Sequence, residues 1–135
     1  MTDFQPLDKS LPFVGPETID AAALETFPYE YAGRDAEIEI DTAEFTSVCP
    51  YSGLPDFGRL TVVYVPGTKC LELRSYKYYL LSFRNVGIFY EHLVNRVLED
   101  LVGALEPKRL TVIGDFTHRG GIRTKVTAHY PRPTE

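Results

Sequence analysis

The chain has 135 residues, 44% of them hydrophobic, and a formal net charge of −5 at pH 7. This length is enough for one domain with its own core and too short for two. No apolar run approaches the ~18 residues of a membrane span, and Asp3 and several prolines stand where a signal peptide needs a basic and an apolar region. We therefore expect a soluble, cytoplasmic, single-domain protein with no membrane partner.

Charge is distributed unevenly along the chain. Residues 1–45 contain eleven acidic and two basic side chains, whereas residues 107–135 contain six basic and two acidic ones. The acidic total argues against extended nucleic-acid binding, which needs several Lys and Arg side chains on one face. A small anionic ligand near the basic end remains compatible with this distribution.

The two cysteines, Cys49 and Cys70, cannot form a disulfide framework. Neither belongs to a Cys/His cluster with zinc-ligand spacing, and His118 and His129 have no metal partner at a recognisable spacing. The sequence therefore predicts no metal site, and Cys70, in a strand-like position, is interpreted as structural.

Residues 1–35 are predicted to form a covering arm, and residues 36–135 a single domain. The arm contains four prolines and one candidate helix at residues 18–27, where Thr18 could cap the first turn. In the domain, charged and aliphatic residues alternate over 36–41, as in a half-buried strand. The other predicted elements are strands at 59–65, 69–72, 108–116 and 122–130, and helices at 74–83 and 87–105.

The longer predicted helix has the clearest pattern. Its apolar residues recur at every fourth position, namely Phe89, Leu93, Val97 and Leu101. Two pairs of strands around two helices predict an α+β fold, with a four-stranded antiparallel sheet and both helices on one face. Such a sheet has open edges, so we expect a homo-oligomer.

Residues 45–57 bring a potential nucleophile, a carboxylate and turn-forming residues together. Pro50, Gly53 and Pro55 follow Cys49 closely, and Asp56 lies seven residues after the thiol. This pattern predicts a rigid, non-helical loop. A cysteine near a carboxylate suits covalent catalysis with proton transfer. On residue types alone, however, a lone cysteine is more often a small buried core residue.

Four motifs give the chain a family resemblance over most of its length, although residues 1–35 contribute little to it. They lie at residues 45–50 with 55–57, at 72–77, at 82–85 with Glu91, and at 116–121. In this order they resemble the short, single-domain NADPH-dependent 7-cyano-7-deazaguanine reductases, nitrile reductases of queuosine biosynthesis that have the tunnelling fold. The resemblance implies that fold, that activity and NADPH as cofactor.

The resemblance also implies roles for individual residues. Cys49 would attack the nitrile carbon to form a covalent thioimide, and Asp56 would handle protons, a role that burial beside apolar side chains such as Phe57 would favour. Glu91 would hold the deazaguanine base, because a carboxylate can accept two hydrogen bonds from neighbouring ring and amino N–H groups. The further substrate-binding candidates are Tyr90, Glu72 and Ser75.

The cofactor candidates are Arg74, Lys77, Arg119 and Gly120. The chain lacks a Gly-x-Gly-x-x-Gly motif, so a Rossmann site is not available to bind NADPH. Where the family usually has lysine, this chain has Arg74, which keeps the charge but changes the donor geometry and leaves the choice between NADPH and NADH open.

A second departure from the family is Tyr90, where histidine is common. His92 follows, but two helix positions turn it roughly 200° from Tyr90, so it cannot replace the missing imidazole. Tyr90 is therefore interpreted as a hydroxyl donor or a packing wall, with no role in proton transfer.

The resemblance implies a decamer of two stacked pentamers, with the pocket at subunit boundaries. Two alternatives remain open at this point. One is a tunnelling-fold amidine synthase, in which ammonia attacks the same thioimide and no dinucleotide is needed. The other is a catalytically silent purine-binding protein that keeps the fold and Glu91.

Overall fold

The structure is a computed structural model that describes residues 10–133. Its strands and helices follow the order β-β-β-β-α-α-β-β, preceded by two single 3₁₀ turns at Pro16–Thr18 and Ala21–Ala23. In chain order they are β1 (Thr26–Pro28), β2 (Ile38–Val48), β3 (Pro55–Val65), β4 (Lys69–Leu71), α1 (Leu73–Leu81), α2 (Tyr90–Leu105), β5 (Arg109–Phe116) and β6 (Lys125–Tyr130).

The main sheet has four strands in the order β2-β3-β5-β6, and every neighbouring pair is antiparallel. Side chains alternate along β3 and β5, so that Leu60, Val62 and Leu110 are at most 1% exposed while their sequence neighbours point away from the core. A second, two-stranded sheet pairs β1 with β4. The predicted α+β fold with a four-stranded antiparallel sheet is confirmed.

Helix α2 packs against β5 and β6 through the predicted apolar stripe. Leu93, Val97, Leu101 and Leu105 are fully buried. The prediction was wrong for Phe89, which is 43% exposed and is the residue immediately before the helix. The helix therefore begins at Tyr90, three residues later than the periodicity indicated, which leaves Phe89 free to face a surface cavity.

The predicted helix at 18–27 was wrong. Ala21–Ala23 form only a single 3₁₀ turn, and Thr26 already belongs to β1, where it pairs with Leu71. The hydroxyl of Thr18 donates to the carbonyl of Gly15 and caps no α-helix. Pairing of β1 with β4 thus overrides the helical preference of the alanines.

Two predicted boundaries were also wrong. The first long strand continues past residue 41 to Val48, with an irregularity between Thr42 and Phe45, so the turn at the cysteine shrinks to residues 49–54. Strand β6 begins at Lys125 instead of 122, because residues 117–124 form a longer connection. In both places cross-strand pairing, which a local pattern does not contain, sets the end of the strand.

Residues 10–35 lie against the rest of the chain. Ile19 is 6% exposed and belongs to the same hydrophobic core cluster as the sheet and α2. The division of the chain at residue 35 stays a prediction. Within the described residues, no helix is long and apolar enough to cross a membrane.

Candidate active site

Cys49 lies in the turn that joins β2 to β3. Its N–H donates to the carbonyl of Leu54 and its carbonyl accepts from the N–H of Gly53, each at 2.9 Å. Gly53 has a φ of 71°, a conformation that glycine adopts at little cost. The turn is thus closed by hydrogen bonds at both ends and holds the half-buried thiol in a fixed position.

The pKa of the Cys49 thiol is lowered, chiefly by the hydroxyl of Ser52 and then by the N–H of Ser52, which hydrogen-bond to the sulfur. Burial and the negative charge of Asp56 oppose this effect. Hydrogen bonds to a thiolate favour the form that acts as a nucleophile. Ser52 was not among the sequence candidates, although a Ser three residues after the cysteine in a turn is a signal for such a contact.

Asp56 is the second residue of β3 and is 5% exposed. Its carboxylate forms an ion pair with Arg119, and Arg119 also donates to the carbonyl of Pro55 at 2.8 Å. The expectation that Phe57 would cover the carboxyl group was wrong. Successive residues of a strand point to opposite faces, and Phe57 is 52% exposed on the other side of the sheet.

A pocket of about 150 Å³ joins the two predicted catalytic residues. Its walls come from the turn after β2, from β3, from the start of α2 and from the connection between β5 and β6. The lining residues are Cys49, Pro50, Asp56, Ile88, Phe89, Tyr90, Glu91 and Arg119. Five of the ten predicted site residues therefore converge within one chain, although they come from four separate segments.

Tyr90 and Glu91 are the first two residues of α2. The ring of Tyr90 stacks on Phe116, with centroids 3.8 Å apart and an interplanar angle of 9°. Burial, and then Asp56, raises the pKa of Tyr90 to about 12, so its hydroxyl keeps its proton at neutral pH and can donate a hydrogen bond. Glu91 is exposed in the first helical turn, where the helix dipole favours a carboxylate.

His92 does not line this pocket. Its ring packs edge-on against Phe89 at 5.8 Å and borders a neighbouring cavity with Pro16 and Arg96. This placement agrees with the prediction that His92 does not take the place of the family's usual histidine.

Glu72, Arg74 and Ser75 lie at the start of α1, away from the Cys49 pocket. The carboxylate of Glu72 accepts the N–H groups of Arg74 and Ser75 at 2.8 and 2.7 Å, which is an N-terminal cap. The hydroxyl of Ser75 accepts from the N–H of Glu25 and donates to the carbonyl of Glu72. A substrate-binding role for Glu72 and Ser75 stays a prediction.

Lys77 borders a larger groove of about 490 Å³ between α1 and β2. Arg84, which was not among the candidates, lines the same groove together with apolar residues such as Leu73, Tyr76 and Leu80. Neither Lys77 nor Arg84 forms an ion pair with another of residues 10–133. Gly120, with a φ of 56°, lies at the exposed connection that carries Arg119.

In the part of the chain that the structure describes, no cluster of three or more His, Cys, Asp and Glu residues is arranged to hold a metal ion. Cys70 is buried in β4, at 6% exposure, in the position expected of a structural residue.

The sheet, its covering helices and the pocket around a thiol define a tunnelling-fold protein with a cysteine and a buried aspartate in one cleft. Comparisons with known proteins refine this class. The family model described as "QueF-like protein" matches residues 55–135. The chain is 56% identical over 118 residues to the NADPH-dependent 7-cyano-7-deazaguanine reductase of Caldicellulosiruptor bescii. The aligned residues cover 87% of this chain and 90% of that protein.

The protein of the same name from Chloroherpeton thalassium is 56% identical over 107 residues, covering 79% of this chain and 92% of that one. The crystal structure of the archaeosine synthase QueF-Like in the apo form superposes with a TM-score of 0.69 at 25% identity, over 75% of this chain and 99% of that one. The chain belongs to the QueF-like protein family.

Proposed function

We propose that this protein is an NADPH-dependent 7-cyano-7-deazaguanine reductase, which converts the nitrile of its substrate to the aminomethyl group. The observation that carries the proposal is the convergence of Cys49 and Asp56 in one pocket with Tyr90, Glu91 and Arg119. Relatives that share more than half of their residues with the chain bear the name of this activity.

Cys49 is the nucleophile in this proposal. Its sulfur adds to the nitrile carbon, so that a C–S bond forms and one bond of the C≡N triple bond is broken. The product is a thioimide. Its C=N bond can be protonated and then accepts hydride more readily than the nitrile does, so covalent capture divides one difficult reduction into easier steps. Hydrogen bonds from Ser52 favour the thiolate that this addition needs.

Asp56 moves the proton. It lies in the same pocket as the thiol, and it can accept the thiol proton as the sulfur attacks and return it to the imide nitrogen. Arg119 fixes the carboxylate through the ion pair and through its second contact with Pro55. The aspartate is therefore held by its neighbours in the position from which it would transfer the proton.

Glu91 and Tyr90 orient the substrate. The carboxylate of Glu91 accepts hydrogen bonds from the ring N–H and the amino group of the base. The hydroxyl of Tyr90 keeps its proton and donates, while its ring is fixed by the stack on Phe116. The protein would thereby distinguish a deazaguanine from bases that lack this pair of donors.

The groove beside α1 has cationic and apolar groups that suit the phosphates and the rings of NADPH. Lys77 and Arg84 offer cations to phosphates, and the apolar walls offer a surface for planar rings. Arg74 lies on α1 with Lys77 but borders a neighbouring pocket, and it is proposed as a third cation for the cofactor. When bound, NADPH would supply two hydrides for each nitrile, and each is matched by a proton taken up from the solvent. The C–S bond to Cys49 breaks after the first reduction, which releases the cysteine, and the second reduction gives the amine. Arg119 and Gly120 are proposed to contribute from the connection between β5 and β6.

We also propose that the protein is a cytoplasmic homo-oligomer of two stacked pentamers that binds no nucleic acid directly. Strands β2 and β6 are the outer strands of the main sheet, so each can pair with a strand of another copy. The Cys49 pocket and the α1 groove share no lining residue within one chain. A site completed between copies would bring the two together.

The amidine synthase is the second candidate, because the superposed crystal structure is that of an archaeosine synthase. It requires the thiol and the base-binding residues but no dinucleotide. The cations of the groove beside α1 and the names of the closely similar relatives favour the reductase.

The test mixes the purified protein with 7-cyano-7-deazaguanine and NADPH and follows cofactor oxidation and amine formation together. We expect two NADPH oxidised per amine. Replacing the nucleophile with Cys49→Ala should lower turnover by about 10³-fold or more. Cys70→Ala is the matched control and should retain activity, because this second thiol lies in β4 outside the pocket.

Full activity of Cys49→Ala would overturn the mechanism. A Cys49 adduct that forms without any NADPH oxidation, even in the presence of cofactor, would place the amidine synthase first. Absence of both adduct and turnover in the folded protein would favour the purine-binding protein.

A further inference from the structure

Residues 11–14 of the arm lie between the cysteine turn and the segment that precedes α2. The N–H of Leu11 donates to the carbonyl of Ser52 at 2.6 Å, and the N–H of Val14 donates to the carbonyl of Asn85 at 2.9 Å. The N–H of Gly87 in turn donates to the carbonyl of Val14 at 2.9 Å. The arm is therefore bonded through its backbone to both sides of the site.

The segment at 86–88 also holds the end of β2. The N–H of Val48 donates to the carbonyl of Val86 at 3.0 Å, and the N–H of Ile88 donates to the carbonyl of Val48 at 3.3 Å. Val48 is the residue immediately before Cys49. The arm thus reaches the nucleophile by two routes, one through Ser52 and one through the 86–88 segment.

Two glycines allow the backbones to approach this closely. A side chain at Gly53 would lie 2.3 Å from the carbonyl oxygen of Leu11. A side chain at Gly87 would lie 2.3 Å from the ring of Phe13 and 3.2 Å from the α-carbon of Pro50. These are contacts shorter than packed carbon atoms tolerate, so the arm, the turn and the segment before α2 form one closely packed unit.

We propose that residues 11–14 are a positioning brace for the nucleophile: through the backbone of Ser52 and through the 86–88 segment they hold the turn that carries Cys49. The inference rests on the proposed role of Cys49. It gives part of the N-terminal arm a function in the chemistry, although no side chain of the brace lines the catalytic pocket.

Other charged or titratable groups also face the thiol. Asp56 on β3, Tyr90 and Glu91 on α2, and Arg119 from the connection between β5 and β6 line the same pocket as Cys49. None of their described hydrogen bonds involves the brace. A change in the brace should therefore act on the thiol through Ser52, while these four groups remain in place.

The neighbouring cavity adds two further groups near Pro50, which are His92 and Arg96. Arg96 is paired with Asp100 at 2.9 Å and also donates to the carbonyl of Pro16. Its charge is thus held by contacts outside residues 11–14.

The test measures the rate of alkylation of Cys49 by iodoacetamide in the full chain as a function of pH, with the modified peptide assigned by mass spectrometry. Leu11→Pro removes the N–H that binds Ser52, and Leu11→Ala keeps that N–H while shortening a side chain that is 49% exposed. In Leu11→Pro, we expect the pH midpoint of Cys49 alkylation to rise toward the ordinary thiol pKa of ~8.5. The alkylation rate at pH 7 should fall about three-fold or more. Leu11→Ala should match the unmodified protein.

Phe13→Ala provides a second test if Leu11→Pro does not fold, because it leaves every backbone hydrogen bond in place and removes only the ring over Gly87. It should shift the midpoint in the same direction, and Phe13→Leu should shift it less. Unchanged midpoints in folded Leu11→Pro and Phe13→Ala would overturn the brace. The measurement uses neither the nitrile nor NADPH, so that result would leave the proposed function untouched.

Discussion

The turn that carries Cys49 and the first turn of α1 are both rich in residues that the sequence motifs mark as functional, but their polar groups are used differently. Around Cys49, side chains from four separate segments point into one pocket. At the start of α1, the carboxylate of Glu72 is already bound to two N–H groups of its own helix. The first region is assembled by the fold, whereas the second is satisfied locally.

This difference determines what each region can do within one chain. Groups that face a cavity, such as Cys49 and Glu91, are available to a ligand. Groups that cap a helix stabilise that helix, and their hydrogen-bonding capacity is already partly used by its N–H groups. Substitutions in the two regions should therefore separate chemistry from stability.

The largest effect after loss of the thiol is expected for Asp56→Asn. An amide cannot accept and return the proton, so turnover should fall by about 10²- to 10⁴-fold, measured as NADPH oxidation at saturating substrate. The matched control is Asp115→Asn, which weakens the ion pair with Arg123 in the connection between β5 and β6. That pair is partly exposed and lies outside the Cys49 pocket, so the control should retain activity. Equal activity of both variants would remove Asp56 from the mechanism.

A smaller effect is expected for Glu91→Gln. The variant loses charge-assisted hydrogen bonds to the base, so the KM for the nitrile substrate should rise by about 10- to 100-fold, with a smaller change in kcat. Glu99→Gln serves as the control, because Glu99 is exposed on the same helix outside the pocket. A KM unchanged by Glu91→Gln would mean that the base is held elsewhere.

Lys77→Ala probes the groove beside α1. Loss of one phosphate contact should raise the KM for NADPH about ten-fold and leave the KM for the nitrile unchanged. Lys125→Ala, which removes an exposed charge from β6, should alter neither constant. If the two lysine variants behave alike, the cofactor does not use this groove.

The sequence could predict what depends on local periodicity. The stripe Leu93, Val97, Leu101 defines α2 because a 3.6-residue period places all three on one face. The alternation in β2 likewise indicated a strand. The alanines at 21–23 misled because their helical preference is weak compared with the pairing of β1 and β4.

The candidate site was recognisable only through the motifs, because composition alone favours a buried cysteine. What the sequence could not supply are contacts between distant segments: the pairing of Asp56 with Arg119, and the bond from Leu11 to Ser52. Phe57 shows the opposite case, in which two sequence neighbours were expected to be in contact and are not. It is adjacent to Asp56 in sequence but lies on the opposite face of the sheet.

The smallest effect, and the one that separates the two regions most directly, is expected for Glu72→Gln. Hydrogen bonds from the N–H groups of Ser75 and then Arg74 hold the pKa of Glu72 below its ordinary value. A carboxylate with a depressed folded-state pKa contributes stability that is present above the ordinary value of ~4.3 and is lost as the pH falls through the folded value. The variant should therefore melt a few degrees lower at pH 7, on the order expected for a lost cap, and the difference should shrink by pH 3.

Thermal unfolding followed by circular dichroism checks this, with Glu99→Gln as a control that removes a charge from a helix without removing a cap. A pH-dependent loss of melting temperature with unchanged kinetic constants would make Glu72 purely a cap. A higher KM for the nitrile with an unchanged melting temperature would instead support the predicted substrate role, which requires a second chain to bring α1 to the Cys49 pocket. Glu72 of one chain would then be part of the Cys49 pocket of another chain in the assembly.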